Sequence, residues 1–329
     1  MQKNASRVLA AAVAGLFALT AGAAAPSAAV VAEWNAPVEP FKVFGNTYFV
    51  GTKNLGSVLI TSDYGHVLID GGLPQSAPLI AANIAKLGFK ITDVKAILQS
   101  HAHPDHVGGI AELQKLSGAA VYARRPADEV MRTGKLPKED PQYSPKSQKI
   151  GTVPTVWIVH GDQLLGVGSN RLRALATGGH TPGGTSWTWE SCEEKTCLQM
   201  VYADSLAPVA GAKYRFGDHP DVLEAFDAGF KALEELRCEV LITPHPEASG
   251  FFERVQKAAG KADQLKDADG CKKYVATARQ ALAPGGLYAV WSGYPADKFL
   301  GALRGAGFVA RIEPLRERGV VRARAYLGS

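Results

Sequence analysis

The feature that most constrains this chain is a dense group of metal-ligand side chains directly after a strand of the buried type. The predicted strand covers 94–99, and the loop after it reads Ser100-His101-Ala102-His103-Pro104-Asp105-His106-Val107-Gly108-Gly109. Histidine and aspartate are side chains that bind zinc in proteins. A lone histidine is more often a packed or surface residue, but four ligand-type residues within six positions predict a metal centre at the end of this strand.

The first ion is predicted from two of these histidines and one distant residue. His101 and His103 are two positions apart, so at the end of a strand they can face the same way and bind one ion. His180 lies in the loop Thr177-Gly178-Gly179-His180-Thr181-Pro182-Gly183-Gly184, which also follows a predicted strand. Three protein ligands and an open position are what a catalytic zinc site requires. We therefore predict that these three histidines form the first site.

A second ion is predicted from the remaining members of the motif. Asp105 and His106 are offset along the turn, and His245 stands in a third strand-end loop, Thr243-Pro244-His245-Pro246. A protein that only binds zinc is a possible alternative, but a structural zinc site is closed by four protein ligands and each site here has three. The pattern thus predicts an enzyme with two Zn²⁺ per chain. The other histidines are predicted to be structural or surface residues: His66, His160 and His219.

Hydrophobic periodicity predicts an α/β fold. Short β-branched runs alternate with turn residues over 41–70 and predict a meander of strands. Strand and helix patterns then alternate over 76–123, which predicts parallel strands with crossover helices. The second half repeats the strands and adds an amphipathic helix over 221–236, with apolar residues at helical spacing. Two β-rich halves, each finished by helices, predict a four-layer α-β-β-α sandwich. The polar stretch 133–149 lacks periodicity and is predicted to be a long loop.

The N-terminal segment has the pattern of an export signal. Lys3 and Arg7 precede an apolar run over 8–20, and the small residues 21–25 supply an Ala-x-Ala cleavage site. The run is Ala-rich and short for a membrane span of ~20 residues, and no later segment is long and apolar enough to cross a bilayer. We predict a cleaved signal peptide at 1–28 and a periplasmic or secreted protein without stable membrane association.

Composition and charge narrow the class of partner. Hydrophobic residues make up 46% of the 329-residue chain and charged residues 20%, which is ordinary for a globular protein with a sizeable core. The formal net charge of +5 is spread along the chain, and no Lys/Arg block occurs in its body. Nucleic acid is therefore not an expected partner. We expect a monomer with a small-molecule substrate, whose main domain covers 29–280.

The four cysteines fit an oxidising compartment. Cys192 and Cys197 flank Glu-Glu-Lys-Thr at what is predicted to be a hairpin tip, and Cys238 and Cys271 remain as the other natural pair. Sequence alone permits three connectivities. A zinc site built from cysteines is the competing interpretation, but no Cys-x-x-Cys spacing occurs. Two structural disulfides are therefore predicted.

The metal motifs resemble those of a known family. His101-Ala102-His103-Pro104-Asp105-His106 matches the His-x-His-x-Asp-His signature of the metallo-β-lactamase superfamily, and the resemblance covers about residues 33–275. Several features are similar to subclass B3: three histidines at the first site, no cysteine near the second, and the segments Tyr202-Ala203-Asp204-Ser205-Leu206, Thr243-Pro244-His245-Pro246, Glu33-Trp34-Asn35 and Pro40-Phe41. The resemblance implies the four-layer sandwich of that family.

The resemblance also implies ligand roles and a reaction. The first zinc would be bound by His101, His103 and His180, and the second by Asp105, His106 and His245. A hydroxide that bridges two ions ~3.5–4 Å apart is a strong nucleophile near neutral pH. It would attack a β-lactam carbonyl polarised by the first zinc, while the second zinc steadies the amide nitrogen as the C–N bond opens. Asp105 is the implied catalytic residue, because it binds the second ion and can orient the hydroxide.

Three neighbouring positions bear on the substrate class. Ser205 is implied to hydrogen-bond the substrate carboxylate, or a water at the metals. In glyoxalase-II-like relatives an aspartate from the region of Asp204 bridges the metals, whereas in B3-like enzymes it is not a ligand, and the B3-like arrangement is expected here. Ala207 lacks a hydroxyl that some relatives carry. The alternative function is that of another hydrolase on the same fold, such as a lactonase or thioesterase.

The C-terminal segment does not fit a B3-like chain, which should end shortly after the helix that holds Cys271. Residues 283–291 predict a turn and a buried-type strand, 297–305 a helix, and 308–327 further strands. This stretch resembles the last strands of a methyltransferase of the spermidine-synthase type, without the part that binds its cofactor. About fifty residues cannot form a doubly wound domain, so we predict a C-terminal extension at 281–329 without activity of its own.

Overall fold

The structure is a computed structural model that describes residues 28–145, 150–211 and 214–282 with their side chains, together with the backbone of three strands farther along the chain. Apart from Ala28, the predicted signal peptide lies outside the described residues, and export stays a prediction. Within these ranges no helix combines the length and the apolar character that crossing a membrane requires.

The first sheet has seven strands in chain order: β1 (Phe41–Phe44), β2 (Thr47–Phe49), β3 (Val58–Ile60), β4 (His66–Ile69), β5 (Val94–Leu98), β6 (Ala120–Arg124) and β7 (Val156–Val159). β1 to β4 pair antiparallel, as the predicted meander, and β4 to β7 pair parallel. Parallel neighbours need crossover connections, which contain α2 (Ala77–Lys86), α4 (Ile110–Ser117) and α5 (Ala127–Thr133). The sequence predicted α2 and α4 but not α5, whose seven residues carry few large apolar side chains.

The second sheet has five strands: β8 (Leu164–Val167), β9 (Asn170–Ala176), β10 (Thr185–Glu193), β11 (Thr196–Tyr202) and β12 (Val240–Ile242). Its order is β12-β11-β10-β9-β8. β12 pairs parallel with β11, and the connection between them contains α6 (Pro220–Glu234). The sequence predicted this helix over 221–236, so its end was placed two residues too far along the chain.

The two sheets pack face to face, and helices cover both outer faces. Strands of both sheets supply the apolar cluster between them, α2, α4 and α5 pack on the first sheet, and α6 with α9 (Gly270–Leu282) packs on the second. Trp187 of β10 is fully buried, and its indole N–H donates to the carbonyl of Gln99 at 2.9 Å. Burying such a side chain contributes about 1.5–3 kcal/mol. The predicted four-layer α-β-β-α sandwich is confirmed.

All four cysteines lie in the described part of the chain and form two disulfides. Cys192–Cys197 joins directly opposed positions of β10 and β11, and Cys238–Cys271 ties the residues before β12 to α9. Zinc binds thiolates, so the alternative cysteine site is not formed in this structure. Four short helices complete the main part of the chain: α1 (Ala28–Trp34), α3 (Pro104–Val107), α7 (Phe251–Ala258) and α8 (Ala262–Leu265).

The C-terminal extension contains three described strands: β13 (Tyr288–Ser292), β14 (Ala310–Glu317) and β15 (Val320–Gly328). β15 lies between the other two and pairs antiparallel with both. Strands were predicted in these stretches, whereas the helix predicted over 297–305 lies outside the described residues. The boundary near residue 280 and the resemblance to a methyltransferase fragment stay predictions.

Candidate dinuclear metal centre

The motif loop is held against the end of a neighbouring strand. After β5 the chain turns at His103 and enters α3 at Pro104, a residue type suited to the first turn of a helix. The N–H of Gly71 donates to the carbonyl of His106 at 2.8 Å, and the N–H of Gly109 to that of Gly72 at 3.1 Å. A Cβ on Gly109 would lie 2.3 Å from the carbonyl oxygen of Gly71. Glycine at 109 therefore permits the close approach that fixes the loop.

Six side chains from three strand-end loops converge into two groups. We call His101, His103 and His180 the first cluster, and Asp105, His106 and His245 the second cluster. In each cluster the candidate ligand atoms all lie within 4.8 Å of one another. The clusters are adjacent, because the ring centroids of His101 and His106 are 4.1 Å apart. The sequence named these six residues as ligands; the structure brings them together, and ligation itself stays a prediction.

Every histidine of the first cluster has one ring nitrogen engaged by a partner outside the cluster. Nδ1 of His101 lies 2.8 Å from Oδ1 of Asp204, and Nδ1 of His180 lies 2.7 Å from the carbonyl oxygen of Ala207. Nε2 of His103 lies 3.2 Å from both carboxylate oxygens of Asp140. Such partners fix the tautomer and orientation of ligating imidazoles. They leave Nε2 of His101, Nδ1 of His103 and Nε2 of His180 to face one another.

The second cluster contains its own carboxylate. Oδ2 of Asp105 lies 3.2 Å from Nε2 of His106 and 3.4 Å from Nε2 of His245. Nδ1 of His245 lies 3.2 Å from the carbonyl oxygen of Asn54. The rings of Trp34 in α1 and His245 are arranged edge to face, with their centroids 5.9 Å apart. Nδ1 of His106 lies 3.8 Å from Oδ2 of Asp70, which is too long for a hydrogen bond.

Burial and charge set the protonation of the ligand side chains. Burial, followed by the positive charge of nearby histidines, holds the pKa of His101 well below its usual value and lowers that of His180 to about 3. Burial opposes ionisation of Asp105, but His106 and His245 outweigh it and hold the pKa of Asp105 well below its usual value. These shifts favour neutral His101 and His180 and an ionised Asp105, which are the forms that bind a metal ion.

The donor set fits zinc. Nε2 of His101 is buried and has no hydrogen-bond partner among the described residues. Buried polar atoms in native proteins are normally satisfied, so a buried imidazole nitrogen without a hydrogen-bond partner fits the role of a metal ligand. Imidazole and carboxylate in groups of three are the ligands of catalytic zinc. Magnesium and calcium prefer oxygen ligands and fit this site less well.

Asp204 and Ser205 lie beside the first cluster. The N–H of Ser205 donates to Oδ1 of Asp204 at 2.7 Å. The same oxygen lies 2.8 Å from Nδ1 of His101, the outer ring nitrogen, which points out of the first cluster. Oδ2 of Asp204 lies so close to Gly184 that a Cβ there would be 2.3 Å away. The hydrogen-bonded oxygen of Asp204 thus contacts the outer nitrogen of His101 and the backbone of Ser205, and the expected B3-like arrangement stays a prediction. Ser205 is buried next to it, and its contact with substrate stays a prediction.

Sequence reasoning missed three side chains near the centre. Asp140 and Gln142 lie in the stretch predicted to be a loop, and nothing in their local pattern marks them. Gln142 Nε2 is 3.3 Å from Nε2 of His180 and 3.5 Å from Nδ1 of His103. Asp70 follows β4, and its carboxylate accepts hydrogen bonds from Ser100 and Tyr202. The sequence offered one signal for Asp70, which is an aspartate placed between a predicted strand and two glycines.

The remaining histidines lie outside both clusters. Nδ1 of His66 accepts a hydrogen bond from the N–H of Ser62 at 3.2 Å, and its ring contacts Phe89. His160 is exposed. His219 stacks on Tyr214 with ring centroids 4.1 Å apart. These contacts are those of structural or surface residues.

Comparison with known proteins gives a family model and two groups of relatives. Residues 56–193 match the model of the metallo-beta-lactamase superfamily. The Rm3 metallo-beta-lactamase is 48% identical, with 78% of this chain and 97% of that chain covered and a TM-score of 0.75. MEM-A1, a subclass B3 metallo-beta-lactamase from a soil metagenome library, is 42% identical, with 76% and 96% covered and a TM-score of 0.73.

The curated relatives have names other than metallo-beta-lactamase. A hydroxyacylglutathione hydrolase from Rhodopseudomonas palustris is 29% identical over 207 residues, which is 55% of this chain and 76% of the relative. A probable metallo-hydrolase from Bacillus subtilis is 28% identical over 198 residues, which is 60% of this chain and 65% of the relative. The names of the curated relatives are those of hydrolases, and the similar solved structures are named as metallo-beta-lactamases.

Proposed function

The chain belongs to the metallo-β-lactamase superfamily, and from this premise we propose that it is a zinc-dependent hydrolase that opens the amide bond of β-lactams. The observation that carries the proposal is the likeness to subclass B3 enzymes over nearly their whole length, at 48% and 42% identity. The two ligand clusters support it, because the likeness extends to a site with the donors that a dizinc hydrolase needs.

Some residues of the site would bind the metal ions, and others would contact the water or the substrate. Zinc bound by the two clusters would lower the pKa of water and polarise the carbonyl of the substrate. The Asp105 carboxylate stays ionised, because His106 and His245 offset the effect of burial on its pKa. It can therefore accept a hydrogen bond from the attacking water and orient it. Ser205 is the proposed partner of the substrate carboxylate.

Thioester hydrolysis is the second candidate, because hydroxyacylglutathione hydrolases are among the relatives. The position of Asp204 favours the lactam. In glyoxalase-II-like enzymes an aspartate from this region bridges the metals, whereas here Oδ1 of Asp204 lies 2.8 Å from the outer nitrogen of His101. A carboxylate hydrogen-bonded to that nitrogen orients the imidazole, which is a different role from bridging two ions. Lactones, the other substrate class of the alternative, are included in the same test.

The test is hydrolysis of a substrate panel by the purified protein. We expect turnover of a penicillin, a cephalosporin and a carbapenem that a chelator abolishes and added zinc restores, with little turnover of a hydroxyacylglutathione thioester or a lactone. Ser205→Ala should raise KM for the lactams about 10- to 100-fold with a smaller change in kcat, since a lost hydrogen bond to a charged group costs ~1.5–3 kcal/mol.

Exposed His160 provides the control, because His160→Ala should leave all rates unchanged. Zinc at two equivalents without lactam turnover would refute the proposal, and thioester turnover in the same preparation would assign the second candidate. Equal effects of Ser205→Ala on lactams that carry or lack the carboxylate would refute the role of Ser205 alone.

A further inference from the structure

The side chain of Gln142 points into the first cluster. Its amide nitrogen lies 3.3 Å from Nε2 of His180 and 3.5 Å from Nδ1 of His103. The other ring nitrogens of these two histidines are already engaged, by Ala207 and Asp140 respectively. The amide therefore faces the two nitrogen atoms that are left to bind an ion.

Backbone contacts hold Gln142 in this position. Its N–H donates to Oδ1 of Asp140 at 2.8 Å, so the carboxylate that orients His103 also fixes the backbone of Gln142. The N–H of Tyr143 donates to the carbonyl of Asp140 at 2.9 Å, and the N–H of Gly211 donates to the carbonyl of Pro141 at 2.7 Å. Asp140 itself is buried. The amide is thus presented by a turn that is anchored on both sides.

The two distances match one edge length of a zinc coordination tetrahedron. With ligand bonds of ~2.0–2.1 Å, the vertices of a tetrahedron around zinc are about 3.3–3.4 Å apart. Gln142 Nε2 stands at nearly this distance from two vertices of the first cluster. The position that completes a three-histidine site is the one that a catalytic enzyme keeps open for water or substrate.

We propose that the Gln142 side chain occupies the open coordination position of the first metal site, so that an entering ligand must displace it. An amide has a carbonyl oxygen as well as an NH2 group. Rotation about its last bond presents the oxygen to a bound cation, while the NH2 group donates to the histidine nitrogens when no cation is there. The inference rests on the proposed two-metal site. It adds that a side chain of the protein itself competes with entering ligands for the open coordination position.

The experiment measures binding of a small anion, without any substrate. The protein is loaded with Co²⁺, whose visible absorption reports its coordination, and is titrated with azide. Gln142→Ala removes the competing amide, so the Kd for azide should fall about tenfold, the effect of one hydrogen bond or weak contact of ~1.4 kcal/mol. Gln142→Asn is one methylene too short to reach the cluster and should behave like Gln142→Ala.

Gln142→Glu should change the Kd in the opposite direction. A carboxylate at this position binds a cation more strongly than an amide does, so azide should bind at least tenfold more weakly, and a chelator should remove the first ion more slowly. Gln264→Ala, on the exposed surface of α8, is the matched control and should leave the Kd unchanged. All variants keep the N–H of residue 142 that donates to Asp140.

Two results would overturn the inference. An unchanged Kd in both Gln142→Ala and Gln142→Asn would mean that the amide does not stand in the open position. Weaker azide binding in these variants would mean that the amide assists the entering ligand. Because the readout is the spectrum of bound Co²⁺, a protein that hydrolyses no β-lactam can still confirm or refute the role of Gln142, and failure of the proposed function is seen separately.

Discussion

The first and second clusters use similar ligands but are supported by the protein in different ways. In the first cluster two carboxylates and one carbonyl engage the outer nitrogens of all three histidines. In the second, His245 has one carbonyl partner, and the nearest outer carboxylate to His106 is 3.8 Å away. The side chain of His101 is 1% exposed and that of His245 is 24% exposed. The histidines of the first cluster therefore have more hydrogen-bond partners outside the cluster, and the second cluster contains the more exposed histidine.

This difference leads to an order of metal affinity. Partners outside the ligand shell typically change metal affinity by 10–100-fold, because they orient the imidazole and raise its basicity. A cluster with such a partner on every histidine should hold its ion more tightly than one with fewer. We infer that the first cluster fills at lower zinc concentration than the second.

The largest expected effect comes from removing one histidine from each cluster. His180→Ala should abolish tight binding of the first ion and leave only the weaker second site, so that dialysis removes both ions. It should reduce kcat/KM by about 10³-fold or more, since a metal contributes several kcal/mol to the transition state and each 1.36 kcal/mol is tenfold. His245→Ala should keep one tightly bound ion and lose only the second. Metal content after dialysis, together with lactam turnover, measures both effects.

Equal metal contents in the two variants after dialysis would contradict the inferred order of metal affinity. That order would be reversed if His245→Ala lost both ions and His180→Ala kept one. His160→Ala controls for loss of a histidine on the surface.

A smaller effect is expected from the outer carboxylates of the first cluster. Asp140→Asn and Asp204→Asn should each weaken binding of the first ion by 10–100-fold and leave the second ion unchanged, because each side chain contacts a first-cluster histidine. Competition with a chelator of known affinity measures the two dissociation constants. Asp263→Asn, at an exposed position of α8, is the matched control. Equal weakening of both ions would show that these carboxylates support the site as a whole.

The difference between ligands and their partners also explains what the sequence could predict. The six ligands are recognisable because their side-chain types bind metals and they stand in loops after strands. Asp140 contacts His103 across 37 positions of the chain, from a stretch without periodicity, and aspartate in a loop is ordinary. Ala207 contributes only a backbone carbonyl, for which no residue type is diagnostic. The supporting shell thus depends on loop conformation, which local sequence does not fix.

The fold was predictable for a similar reason. Alternation of period two and helical periodicity mark the sheets and the longer helices, because buried faces must be apolar. The short helix α5 and the end of α6 were misjudged or missed, since few buried side chains define them. Gln142 was missed because an amide is not a usual metal ligand and its importance comes from its distance to two histidines.

The smallest expected effect tests support from a helix on the outer face of the second sheet. The hydroxyl of Tyr274 in α9 donates to the carbonyl of Asp204 at 3.1 Å and accepts from the N–H of Leu206 at 3.3 Å. It thereby holds the segment that carries Asp204 and Ala207, both partners of first-cluster histidines. Tyr274→Phe should lower the free energy of unfolding by about 1 kcal/mol and weaken binding of the first ion a few-fold.

Chemical denaturation of the zinc-loaded protein and chelator competition measure the two quantities separately. Tyr64→Phe is the matched control, because Tyr64 is 81% exposed in the turn before β4. Loss of stability without a change in the affinity for the first ion would mean that the 204–207 segment is fixed by other contacts. A few-fold loss confined to the first ion would extend the support of that cluster to α9, because the two hydrogen bonds of Tyr274 are made to the segment that supports the first cluster.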